Sequence, residues 1–184
     1  MEATTMLMEE HRIIEGVLVS LEAAASRLDA GQPVRTGFFV DAADFIKGFA
    51  DGCHHRKEEG VLFPAMEAAG LPRQGGPIQV MLAEHEEGRR LTRGIREAAE
   101  RLQGGQPQAK VQLVSSAQSY VALLRQHIAK EEQILFPMAD QVLDATRQAE
   151  VIEAFERIEH EETGADVHET YLAVARALDQ ETRE

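Results

Sequence analysis

Two stretches of the chain carry the same chemistry in the same order. His54-His55-Arg56-Lys57-Glu58-Glu59-Gly60-Val61-Leu62-Phe63-Pro64 returns 73 positions later as His127-Ile128-Ala129-Lys130-Glu131-Glu132-Gln133-Ile134-Leu135-Phe136-Pro137. His, Lys, Glu, Glu, Leu, Phe and Pro keep their slots, which marks an internal repeat. In each copy a His and a Glu stand four apart, about 40° around a helix axis, so they share a face. An imidazole one turn from a carboxylate is a ready pair of metal ligands. Two such pairs on facing helices could hold two metal ions.

The repeat reaches backwards. Glu10-His11 precedes the first copy by 43 residues, counted from His11 to His54, and Glu84-His85 precedes the second by 42, from His85 to His127. The unit is a helix with one His, a loop, then a helix with His-x-x-x-Glu. Together the two units offer His11, His54, His85, His127, Glu58 and Glu131. Those His fall on the apolar stripes of their helices. Burying so many ionisable groups is costly unless they are paired or bind a cation. Imidazole and carboxylate without thiolate suit iron, manganese or zinc. The zinc-protease His-Glu-x-x-His pattern is absent: His160-Glu161 runs on to Gly164, and His168-Glu169 to Leu172. The Glu-x-x-His of ferritin-like bundles is absent too.

These residues need long helices to hold them, and apolar positions recur at three and four along the chain. Helix is expected over about 6–28, 37–66, 77–102 and 109–142, separated by Gly- and Pro-containing loops. A fifth stretch is expected over about 147–180, interrupted by Gly164. Short connections between long amphipathic helices give an all-α, antiparallel up-down-up-down four-helix bundle, with the fifth helix beside it or across one end. The 184 residues read as a single domain, residues 1–184, of two helix hairpins (about 6–66 and 77–142) plus the C-terminal helix. A formal charge of −13 argues against non-specific nucleic-acid binding. No segment approaches the roughly 20 apolar residues of a membrane span. With no signal-peptide pattern and one cysteine, Cys53, the cytoplasm is the expected compartment.

The combination resembles the hemerythrin family, specifically the bacterial hemerythrin-like, or HHE cation-binding, proteins. The likeness rests on an acidic residue-His opening, Glu10-His11 and Glu84-His85, and on His-x-x-x-Glu-Glu-x-x-Leu-Phe-Pro, each present twice. It covers about residues 6–142. The resemblance implies a non-haem di-iron centre inside a four-helix bundle. Two iron ions, oxo- or hydroxo-bridged, would be held by His11, His54, His85 and His127 as terminal ligands. Glu58 and Glu131 would be the bridging carboxylates; zinc or manganese are alternative occupants. Oxygen-carrying hemerythrins have a fifth His on helix 3, four residues after another; here that position is Arg89. The implied function is binding of, or reaction with, a small ligand: O2, NO or H2O2. The alternative is an iron-dependent sensor or reservoir acting through a protein partner.

The neighbouring residues carry expectations of their own. His55 and Glu59 repeat the four-residue spacing about 100° round the helix, and the second copy has Ile128 at the His55 slot. His55 is therefore read as a supporting or surface residue. Glu59 and Glu132 are candidates to accept hydrogen bonds from ligand imidazoles. Lys57 and Lys130 would pair with carboxylates or face solvent. Cys53 is a redox thiol or a small buried residue, and Tyr120 either approaches the metals or packs in the core. Phe63-Pro64 and Phe136-Pro137 read as packing and helix-end features. Glu161 and His168 share a face of the fifth helix. His168 would bring a seventh ligand or hydrogen-bond donor and the helix a lid over the site, or else both residues lie in solvent beside a kink at Gly164.

Overall fold

The structure is a computed structural model. It describes residues 2–35, 37–159 and 165–183, with side chains from residue 169 onward in the last helix. Among the described residues the regular structure is entirely helical. In chain order the elements are α1 (Glu2–Asp29), α2 (Phe38–Phe45), α3 (Phe63–Ala68), α4 (Pro77–Gln103), α5 (Ala109–Lys130), α6 (Phe136–Val142), α7 (Ala145–Arg157) and α8 (Ala165–Arg183). Three stretches between them are π-helical: π1 (Ile46–His55), π2 (Glu58–Leu62) and π3 (Glu131–Leu135). The chain thus runs helically from Phe38 to Ala68 and from Ala109 to Val142 with altered turns inside.

The breaks fall where backbone chemistry demands them. Gly70 and Gly105 take positive φ, 103° and 80°. That lets the next amide reach back, Leu71 to the Met66 carbonyl at 3.1 Å and Gln106 to that of Arg101 at 3.0 Å. Pro77 opens α4 at a position that needs no amide hydrogen. The Asp144 carboxylate caps α7 by accepting from the Arg147 amide at 2.9 Å.

α1 packs on α5, α5 on α4, and α4 on α2 and π1; α8 lies against α1 and α2, and α7 against α1 and π2. Apolar side chains form two clusters. One joins Leu18, Leu21, Phe45, Phe49, Ile95, Leu113 and Leu124. The other joins Leu7, Leu62, Phe63, Met81, Leu135, Phe136 and Phe155. Along every long helix the buried His and Glu fall between residues of the first cluster and residues of the second. His11 lies between Leu7 and Ile14, His85 between Met81 and Leu91, and Glu131 between Ile128 and Leu135. The polar residues therefore sit in a belt closed by hydrocarbon at both ends.

Candidate metal centre

The belt is shaped by the two prolines. An α-helix would require residue 64 to donate to the Gly60 carbonyl, but Pro64 has no N–H and its ring crowds that oxygen. The chain answers with a wider turn: the Phe63 amide bonds back to the Glu58 carbonyl, five residues earlier. In the second repeat the Phe136 amide bonds to the Glu131 carbonyl, ahead of Pro137. Each π turn begins on a buried carboxylate, Glu58 or Glu131, and such turns recur at functional sites. Phe63 and Phe136 are more than packing, since their rings stack on His85 (6.0 Å between centroids) and His11 (5.5 Å).

Seven side chains converge inside. His11, His54, Glu58 and Glu131 place one ligand atom each within 4.8 Å of one another, and so do His55, Glu58, His85 and His127. Glu58 belongs to both groups. One of its oxygens lies 3.4 Å from His85 Nε2 and 3.8 Å from His54 Nε2. Glu131 also faces both ways: Oε2 is 3.2 Å from His11 Nε2, and Oε1 is 3.1 Å from His127 Nε2. The Nε2 atoms of His11 and His54 are 3.1 Å apart, as are those of His85 and His127. Donors about 2.1 Å from one ion and at right angles to each other would be about 3.0 Å apart. Glu58 and Glu131 are fully buried, and none of their four carboxylate oxygens makes a hydrogen bond. Unpaired buried carboxylates are costly, and a cation between them removes the cost. The donor set therefore fits one or two metal ions.

An outer ring of carboxylates holds the imidazoles. His54 Nδ1 faces Glu10 at 2.8 Å, His127 Nδ1 faces Glu84 at 3.0 Å, His11 Nδ1 faces Glu132 at 2.9 Å, and His85 Nδ1 faces Glu59 at 2.6 Å. With the proton on Nδ1, each Nε2 lone pair turns to the centre, the arrangement that orients metal-binding imidazoles. The Glu59 and Glu132 contacts match their expected role. Glu10 and Glu84 take the same role for His54 and His127, a pairing that their sequence position one residue before His11 and His85 does not announce. Lys57, buried, holds Glu10 at 2.6 Å and Glu159 at 3.1 Å; Lys130 pairs with Glu84. Burial works against charge on Glu10, but the hydrogen bond and charge of His54 and the charge of Lys57 prevail, setting its pKa at about 2. Burial likewise disfavours protonated His85 and His127. Nearby carboxylates outweigh it, Glu131, Glu58 and Glu59 raising His85 to about 11, and Glu131 and Glu84 raising His127 to about 9.

His55 is not at the surface. It is 4 % exposed, its ring stacks on His85 at 3.9 Å, and neither ring nitrogen makes a hydrogen bond. Burial and then the charges of His85, His54 and His127 hold its pKa well below the ordinary value, so its lone pair stays free. In an α-helix residues 54 and 55 would diverge by about 100°. Both close π1, whose wider turns rotate less per residue, and both rings reach the interior. Arg89, at the fifth-His position of oxygen carriers, turns away to Asp51 (2.7 Å), Glu59 (2.6 Å) and Glu86 (2.5 Å). Cys53 is buried. The Tyr120 hydroxyl is buried without a hydrogen bond beside a cavity that also touches His55. Glu161 and the side chain of His168 lie outside the described residues, so the lid expectation has no structural counterpart here.

Comparison with known proteins agrees with this geometry. The family model described as hemerythrin HHE cation binding domain matches residues 2–139. An uncharacterized protein of Mycobacterium bovis is 27 % identical over 158 residues, 86 % of this chain and 61 % of its own length. Two uncharacterized proteins of Mycobacterium tuberculosis match to the same extent. The chain thus spans about three fifths of these curated relatives, 61 % in each. No solved structure matches. A chain whose repeated His and Glu converge in one buried belt, and whose first three quarters fit that family model, belongs to the hemerythrin HHE cation-binding domain family.

Proposed function

We propose that the chain is a non-haem di-iron protein that binds or reacts with O2, NO or H2O2. The arrangement is that of a four-helix bundle built from α1, the Phe38–Ala68 run, α4 and the Ala109–Val142 run, with α7 and α8 alongside. The observation that carries the reading is the pair of overlapping His/Glu groups sharing Glu58, buried where Glu58 and Glu131 have no hydrogen-bond partner. His11 and His54 would hold one ion; His55, His85 and His127 the other. Glu58 and Glu131 would span both. When bound, a pair of irons supplies electrons and an acceptor position for a small ligand. The chain's own residues fix the imidazoles through Glu10, Glu59, Glu84 and Glu132 and exclude bulk water with two apolar clusters. The first group brings two imidazoles and the second three, so an ion held by His11 and His54 would have fewer protein donors and could take a small ligand. Among the described residues no helix is long and apolar enough to cross a membrane, and we place the protein in the cytoplasm.

The test is metal analysis with optical spectra of protein from iron-replete cells, followed by rapid mixing with O2, NO and H2O2. About two irons per chain and a spectral change with at least one ligand support the reading. Zinc alone, or iron indifferent to all three, refutes it. Turnover of peroxide or NO separates a catalyst from a sensor or reservoir, which would change spectrum and partner affinity without consuming ligand.

A further inference from the structure

A cavity of about 240 Å³ opens between α2–π1 and α4, with His55 and Tyr120 in its wall. It abuts the imidazole-rich group rather than the His11 side, and it is far larger than a diatomic molecule requires. An apolar cavity of roughly 150 Å³ already accommodates benzene. Ala43, Ile46 and Gly88 give it an apolar lining. Its charges are one-sided: Lys47, Arg89, Arg93 and Arg96 against Asp51. In a chain of net charge −13 this is a local reversal of sign. Arg89 is committed to Asp51 and Glu59, and Arg96 to Asp44 and Glu100. Lys47 and Arg93 are exposed and have no acidic partner among the described residues. Deeper in, Tyr120 is 1 % exposed and its hydroxyl makes no close hydrogen bond; its polar neighbour, the Thr92 hydroxyl, donates to the Gly88 carbonyl at 2.9 Å.

The geometry points to a second ligand site, taking a small organic carboxylate with an apolar body and a polar group at its inner end. The carboxylate meets Lys47 and Arg93, the apolar body lies on Ala43, Ile46 and Gly88, and the inner group satisfies the Tyr120 hydroxyl. Each part answers one observation. A neutral hydrocarbon would leave the cations unanswered and the hydroxyl unpaired, and an inorganic anion would leave the apolar walls unfilled. The site depends on no metal ligand except through the shared wall at His55, so it stands or falls separately from the di-iron reading.

The experiment is calorimetric titration of the protein as purified with benzoate, benzamide and para-hydroxybenzoate. Benzoate should bind about tenfold or more tightly than benzamide, as expected when a charged partner is engaged. A Lys47→Gln, Arg93→Gln double variant should remove that advantage; both positions are exposed, so folding is not at risk. Tyr120→Phe should weaken para-hydroxybenzoate about tenfold while leaving benzoate unchanged. Absence of binding, equal affinity for benzoate and benzamide, or benzoate binding that survives the double variant would overturn the site. So would a Tyr120→Phe variant that loses both acids equally, since the hydroxyl would then hold the cavity's shape rather than a ligand.

Discussion

His55 is the residue at which symmetry and geometry disagree. The second repeat offers Ile128 at the same slot, yet the His55 ring lies on His85 and its nitrogens make no hydrogen bond, the Asp51 carboxylate standing 3.5 Å from Nδ1. If it completes the second donor group, His55→Ala should cost one metal ion per chain, as His54→Ala should. In both variants the other ion should be more weakly held, because Glu58 is shared. Metal content by elemental analysis decides. Two ions retained in His55→Ala but not in His54→Ala would return His55 to a supporting role. That the six residues of the repeated motif converge could be read from type and spacing. That His55 joins them could not, because reading spacing as angle presumes 3.6 residues per turn, and π1 departs from that just where His54 and His55 lie.

The helices themselves were legible at nearly their full lengths, since amphipathic periodicity survives a single widened turn. The expected span of 77–102 is observed as Pro77–Gln103, and the run expected over 109–142 ends at Val142. What periodicity concealed is written in Pro64 and Pro137, each six residues beyond a buried carboxylate. Pro64→Ala together with Pro137→Ala restores the amides that permit an α turn at each site. The double variant should keep its helical circular dichroism while metal affinity falls about 10- to 100-fold, the scale of losing a ligand's support. Unchanged affinity would mean that packing alone sets the π turns. Another element contact is as specific: a Cβ at Gly48 on π1 would overlap the Tyr171 ring of α8. Gly48→Ala should destabilise by about 1–3 kcal/mol, seen as a lower Tm, and Tyr171→Ala in the same chain should recover much of it. A Tm unmoved by Gly48→Ala would show that α8 does not depend on this contact.

At the scale of the molecule, the belt of acids and imidazoles makes stability depend on pH and on metal together. In the metal-free protein His85 and His127 are protonated up to about 11 and 9, against an ordinary 6.5. A folded-state pKa above the unfolded one stabilises fully below the unfolded value and is lost as pH rises through the folded one. Thermal melts of metal-free protein should therefore show Tm falling between neutrality and pH values near 9 and above. Loaded protein, whose imidazoles would give lone pairs to metal, should hold its Tm over that window. Parallel curves would show that metal does not replace those protons. The cross-linking of the repeats has a further consequence, for assembly. His11 of the first hairpin leans on Glu132 of the second, and His85 of the second leans on Glu59 of the first. Neither hairpin owns a complete cradle, so metal capture reports that both halves have met. The turn at Arg73–Gly75 between them is exposed, a place where a cut chain is tolerated. Fragments 1–74 and 75–184, expressed apart, should bind no metal tightly; mixed, they should regain it at equimolar ratio. Metal bound by either fragment alone would show that one hairpin suffices. In this chain the ion would serve as the proofreader of its own container.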